Sequence, residues 1–266
     1  MTLVFDIALV AYLAALIIAA ANLFRKSRLL AAIETAMLGG GVLAQTVYMA
    51  MRWHAAGRAP FSNMFESLVL FAWAVVAVHL VLRARIGVIP GLGAAAALVA
   101  VLALAYASTY ASDIQPLMPA LQSNWLTFHV LSCFLGYGGF AVSFLASIGY
   151  LVASRGGSQT RPELRESLEA TTAKTVAFGF LFLTVGIITG SVWANIAWGT
   201  YWSWDPKETW SLITWFIYAA FLHCRFMRGW RGERAAWISI VGFASVLFTY
   251  VGVNLLMHGL HSYAKP

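Results

Sequence analysis

The sequence predicts an all-α, polytopic membrane protein of about eight transmembrane helices with both termini outside. Three observations carry this. First, 61% of the 266 residues are hydrophobic and only 10% are charged, where a soluble domain is about 45–50% apolar and about 25% charged. Second, the apolar residues gather into eight runs of roughly spanning length, close to the ~20 residues a span needs. Third, the basic residues fall unevenly on alternate connections, which sets orientation. This composition excludes an ordinary soluble protein, a disordered chain and any large soluble domain. Cys133 and Cys224 are the only cysteines. They are too few for a disulfide scaffold, and with no CxxC or CxxCH the chain is neither a thiol carrier nor a c-type cytochrome.

The runs cover roughly 3–23, 29–51, 66–83, 88–107, 125–153, 172–193, 208–227 and 235–257. The first carries Asp6 and is followed, not preceded, by Arg25, Lys26 and Arg28. It therefore reads as a span with its N-terminus outside, not as a cleavable signal peptide. Arg83 and Arg85, then Arg155, Arg161, Arg165 and Lys174, then Arg225, Arg228, Arg231 and Arg234 lie on the same inner side. With the first cluster, that side holds thirteen of the 17 basic residues. Only Arg52, Arg58, Lys207 and Lys265 lie opposite. The segment 154–171 is the most polar, and Pro162 is placed to open a short amphipathic helix on the inner face.

Histidine is the metal-ligating residue this chain has to offer, at His54, His79, His129, His223, His258 and His261. The orientation puts His54, His258, His261 and the start of the fifth span, with His129, at the outer side. His79 and His223 lie within spans toward the inner end, and ionisable groups there lean functional. Between spans six and seven the sequence WGTYWSWDPKETW places Trp198, Tyr201, Trp202 and Trp204 within seven residues. One or two tryptophans would be an interfacial belt. Four crowded aromatics without an aliphatic residue suggest an apolar platform for a large planar ligand. Asp205, Pro206 and Glu208 also form a helix start of the capping-box kind. Outer histidines beside an aromatic shelf suggest haem. Zinc, which favours three or four closely spaced ligands, would leave the tryptophans unexplained.

WGTYWSWDPKETWSLITW closely resembles the tryptophan-rich "WWD" signature of cytochrome c maturation proteins that handle haem. Within that superfamily the chain resembles the CcsA (ResC) family, the haem-delivery half of the system II cytochrome c synthase. PFSNMFESLVLFAW at 60–73, PLMPALQSNWLTFHV at 116–130, FLGYGGFAVSF at 134–144 and GVNLLMHGLHSYA at 252–264 carry the resemblance further. It divides the chain into two generic N-terminal helices, 1–58, and a cytochrome c assembly domain, 59–266.

The resemblance implies haem b as the group carried. It implies His129 and His261 as axial ligands at the outer face, and His223 as a transient ligand inside the membrane. Trp198, Trp202, Trp204 and Asp205 belong to the binding loop. His258 is a competing ligand for His261, and His79 is an in-chain candidate to accompany His223. Arg52, Arg58 and Lys207 are outer-side candidates for the haem propionates. The implied partners are a CcsB (ResB) membrane protein, which supplies the companion intramembrane histidine in that family, the CxxCH thiols of an apocytochrome c, and membrane lipid. The implied location is the cell inner (plasma) membrane with the loop on the periplasmic side. The alternatives are a CcmC-like haem exporter, which has fewer spans, and a HemX-like membrane regulator, which has no use for an intact WWD loop.

Overall fold

The computed structural model describes residues 1–155, 162–257 and 259–260. Among these residues there is no strand. Eight long helices follow the eight apolar runs: α1 (Thr2–Arg25), α2 (Arg28–Ala56), α3 (Met64–Ile86), α4 (Leu92–Ala107), α5 (Asn124–Ser154), α6 (Pro162–Trp198), α7 (Pro206–Met227) and α8 (Glu233–Leu247). A π-turn, Phe248–Gly252, carries α8 into a last turn, α9 (Val253–Leu256). Six helices are long and apolar enough to cross a membrane: α1, α2, α3, α5, α6, and α8 continued to Leu256. α4 is apolar but only 16 residues long, and α7 opens on Lys207 and Glu208. The chain is a multi-pass membrane protein.

The helix starts follow local chemistry. Asn63 accepts the Glu66 N–H at 2.8 Å and Ser123 the Trp125 N–H at 3.2 Å, each meeting a donor that the first turn leaves over. α2 ends at Gly57, whose φ of +66° suits a residue without Cβ. One expectation is corrected. Residues 162–171 are not a separate helix on the inner face but the first turns of α6, which runs unbroken for 37 residues. Pro162 does open a helix, but nothing between it and Trp198 breaks one.

The described chain forms two compact units, Met1–Ile114 and Gln115–Pro266. In lipid, helix association rests on close packing and interhelical hydrogen bonds, because the solvent is as apolar as leucine. The first unit shows both. Tyr12 lies against Gly41, where a Cβ would stand 2.3 Å from the ring. Its hydroxyl donates to Gln45 Oε1, and Gln45 Nε2 donates to the Val69 carbonyl at 3.0 Å, joining α1, α2 and α3. At one end Glu66, with a side chain 0% exposed, takes Arg52 at 2.8 Å and Arg58 at 3.1 Å. At the other, Arg83 pairs with the buried Glu34 at 3.3 Å. His79 is buried between them in α3.

In the second unit α5 and α6 meet backbone to backbone. A Cβ on Gly136 would lie 3.0 Å from the Gly179 carbonyl oxygen, and one on Gly179 would lie 2.9 Å from that of Gly136. Phe140 stacks on Tyr218 with centroids 3.6 Å apart, tying α5 to α7. Hydroxyl pairs link further helices: Ser143 with Ser239 at 3.0 Å and Thr214 with Thr249 at 3.3 Å.

Candidate functional site

His129 lies just over one turn into α5, half-buried against α6. Its Nδ1 is 2.7 Å from the Gly186 carbonyl oxygen. A carbonyl only accepts, so Nδ1 carries the proton, and in the neutral ring the lone pair belongs to Nε2. Two glycines of α6 give the ring its room. A Cβ on Gly190 would stand 2.4 Å from His129 Nδ1, and one on Gly186 would stand 2.6 Å from the sulfur of Cys133. Cys133, one turn deeper, places that sulfur 3.7 Å from the same ring nitrogen.

Trp193, one turn beyond Gly190, completes the cradle. It is 1% exposed, stacks on the His129 ring at 6.0 Å and 16°, and donates its indole N–H to the Ala120 carbonyl at 2.9 Å. Trp198 meets it edge-on at 4.8 Å. Leu121 and Leu126 close the cluster. Trp193 lies outside the aromatic cluster at 198–204 that the sequence singles out. The signal that could have found it is the spacing of Gly179, Gly186, Gly190 and Trp193, all on one helix face.

The loop after α6 is held by two carboxylates. Glu208 Oε2 accepts the Ser203 N–H at 2.8 Å, the Ser203 hydroxyl at 3.1 Å and the Asp205 N–H at 3.1 Å. Asp205 caps α7 in the expected box, with Oδ1 accepting the Lys207 N–H at 2.9 Å. Its Oδ2 accepts the Leu260 N–H at 2.6 Å. Trp204 has a φ of +58°, a conformation a bulky L-residue rarely adopts, and its ring is 69% exposed.

The three tryptophans expected to make one flat shelf do not share a plane. Trp202 and Trp204 cross at 89° with centroids 5.8 Å apart, and Trp198 belongs with Trp193 in the His129 cluster. The loop therefore offers one half-buried aromatic wall and one exposed corner. His223 is exposed on α7, on the side away from Thr214, Tyr218 and Phe221, which are buried. His54 is exposed in α2. His258 and His261 lie outside the described residues. Arg52 is 3% exposed, and its guanidinium serves Glu66 and the Ser112 and Asp113 carbonyls. Arg58 also pairs with Glu66. The two arginines suggested for propionates are thus engaged with a carboxylate of the chain itself.

Residues 61–261 match the family described as Cytochrome C assembly protein, and the chain belongs to that family. Among curated relatives it is similar to the cytochrome c biogenesis protein CcsA of three organisms. That of Gloeobacter violaceus is 38% identical, covering 90% of this chain and 88% of the relative. That of Chlamydomonas reinhardtii is 40% identical, over 87% and 68%. That of Synechococcus sp. (strain CC9902) is 40% identical, over 89% and 86%. The fold is similar to a solved structure, the cytochrome c heme lyase CcmF, with a TM-score of 0.71 at 19% identity. That match covers 99% of this chain and 47% of the other, so this chain spans about half the length of that one. The family places the chain in cytochrome c biogenesis.

Proposed function

We propose that the chain receives haem b and presents it to apocytochrome c at one membrane face, as the CcsA component of a system II synthase. The observation that carries this reading is the state of His129. Its Nδ1–H is fixed by the Gly186 carbonyl at 2.7 Å, so the ligating atom is Nε2. Metal-binding histidines are oriented in this way, with the second nitrogen donating to a carbonyl or carboxylate. A neutral imidazole stacked on Trp193, with Trp198 edge-on to that indole, suits iron in a planar apolar ring. Among the described residues no three His, Cys, Asp or Glu side chains cluster as a compact metal site would require.

In this reading haem is the cargo. His129 holds its iron from one side and His261 from the other. Trp198, Trp202 and Trp204 bear on the macrocycle, and Asp205 orders the loop and the tail. Two axial histidines leave iron no open position for oxygen. Each CxxCH thiol then adds its S–H across a vinyl C=C. One C–S and one C–H bond form, and no oxidant is consumed. The chain's contribution is to hold the vinyl edge in reach and keep the iron coordinated.

His223 serves as the intramembrane ligand on the way out. Its exposed position on α7 supports a companion ligand supplied from outside this chain, by a CcsB (ResB) partner. The membrane is the bacterial plasma membrane, crossed eight times. Both termini and the WWD loop lie on the periplasmic side, as the thirteen-to-four division of basic residues argues. Residues 1–58 serve as two supporting helices and 59–266 as the assembly domain.

The test is co-purification with and without the CcsB-like partner, read by the absorption spectrum. The complex should carry six-coordinate haem, and His129→Ala should open one coordination position that added imidazole refills. An unchanged spectrum in His129→Ala would remove His129 from the site. Reporter fusions after Gly199 and at the C-terminus should both report the periplasm; a cytoplasmic Gly199 would invert the topology.

A further inference from the structure

Asp205 has a job that its role as a cap does not use up. A capping side chain meets some of the N–H groups a helix start leaves over, and Asn, Ser or Asp does so about equally well. Oδ1 of Asp205 accepts the Lys207 N–H at 2.9 Å, and the carboxylate also takes the Glu208 N–H of the capping box. Oδ2 reaches 55 residues onward and accepts the Leu260 N–H at 2.6 Å. The acceptor is a carboxylate, which makes the bond charge-assisted, and Asp205 is only 6% exposed.

The partner segment is shaped for this contact. A Cβ on Gly259 would stand 2.2 Å from Asp205 Oδ2 and 3.0 Å from Pro206 Cδ, so only glycine lets the backbone lie so close. Gly259 and Leu260 are the two residues that separate His258 from His261 in the sequence. The carboxylate is itself mounted rigidly, because Glu208 Oε2 holds the Asp205 N–H at 3.1 Å and also the Ser203 N–H at 2.8 Å.

We propose that Asp205 is a clasp: it starts α7 and, through Oδ2, pins Gly259–Leu260, so that the backbone between the two tail histidines of the sequence is tied to the tryptophan loop. Asp205 is then a positioning residue and not a haem ligand. The clasp acts whichever of His258 and His261 is the ligand, because it grips the dipeptide between them. A binding constellation has to be held to within about 0.5 Å to work. A buried carboxylate bond 55 residues from its own helix cap meets that need. The inference rests on the proposed outer haem site.

Asp205→Asn separates the two jobs. Asparagine caps as well as aspartate, but its amide nitrogen cannot accept the Leu260 N–H while its oxygen serves Lys207. Gly259→Ala attacks the clasp from the other side, by crowding Oδ2, and keeps both capping side chains, Asp205 and Glu208. Both are made in the full chain with its partner, in lipid nanodiscs. Hydrogen exchange at the Leu260 amide reads the clasp without haem. The absorption spectrum and haem retention read its consequence.

Exchange at Leu260 should quicken roughly tenfold or more in both variants, the ratio expected for losing a hydrogen bond to a charged group. The α7 amides should keep their protection. Haem retention should fall by a similar factor, with a five-coordinate component that added imidazole removes. Unchanged Leu260 exchange in both variants overturns the clasp, whatever the haem does. Faster exchange with a wild-type spectrum and retention overturns the positioning role, provided His129→Ala alters that spectrum. If His129→Ala also leaves it unaltered, the outer haem site fails, and the positioning role fails with it.

Discussion

The two compact units handle polar groups in a membrane in opposite ways. In Met1–Ile114 the buried charges satisfy one another: Glu66 with Arg52 and Arg58, and Glu34 with Arg83. In Gln115–Pro266, between Trp193 and the tail, the carboxylates Asp205 and Glu208 hold backbone N–H groups, and aromatic faces are left at the surface, as on Trp204. Charges spent on each other build a scaffold. Charges that hold backbone, beside uncovered rings and an oriented imidazole, are the setting of the proposed haem site. The difference teaches that a buried charge in a span marks function only when its partner is not another side chain of the same bundle.

The largest expected effect tests the scaffold. Glu66→Ala strands two guanidinium groups, one of them fully buried, and removing one partner of a buried pair costs about 3–5 kcal/mol. Thermal unfolding should fall sharply, and proteolysis should begin in the first unit. A wild-type unfolding temperature would show that Arg52 and Arg58 hold each other's surroundings without it.

Next comes the cradle. Gly190→Ala brings a methyl to 2.4 Å from His129 Nδ1, and overpacking of this kind costs about 1–3 kcal/mol. Loss of the outer haem spectrum should exceed loss of stability. If stability falls and the spectrum persists, the imidazole has room that the packing does not reveal.

Trp193→Phe keeps the stack but deletes the bond to the Ala120 carbonyl, a change of about 1 kcal/mol. It should loosen the 3₁₀ turn at Pro119–Leu121, measurable as faster amide exchange there. No change in that exchange would detach the turn from the cradle.

The smallest effect is expected at His79, whose two ring nitrogens make no hydrogen bond within the described residues. Replacing such a group by an apolar one is close to neutral, so His79→Leu should shift stability by under about 1 kcal/mol and leave cytochrome c yield intact. A lost yield with intact stability would break the comparison, because the first unit would then take part in handling haem.

Much of the fold was legible because lipid simplifies the code. Each of the eight apolar runs is a helix, seven of them within about five residues of the reading (α8 continued to Leu256), and α6 starts ten residues before its run, at Pro162. The start of α7 was written in Asp205, Pro206 and Glu208, since capping is a local matter. What failed was what depends on neighbours distant in sequence. The first turns of α6 read as a surface helix because their polarity, not their continuity, is visible in sequence. Trp193 went unnoticed because its importance comes from Ala120 and His129 on other elements. The crossing of Trp202 over Trp204 follows from a backbone angle at Trp204 that a tryptophan rarely takes. The bond from Asp205 to Leu260 spans 55 positions and leaves no periodic trace.

The unbroken length of α6 has a mechanical consequence. Its 37 residues make a rod about 55 Å long at about 1.5 Å per residue, against a hydrocarbon layer of about 30 Å. Gly186, Gly190 and Trp193 sit near one tip. The opposite end carries Glu169, paired with Arg225 at the far end of α7. Such a rod is a single piece of backbone: nothing between Glu169 and Trp193 breaks the helix, so the two ends have no hinge between them.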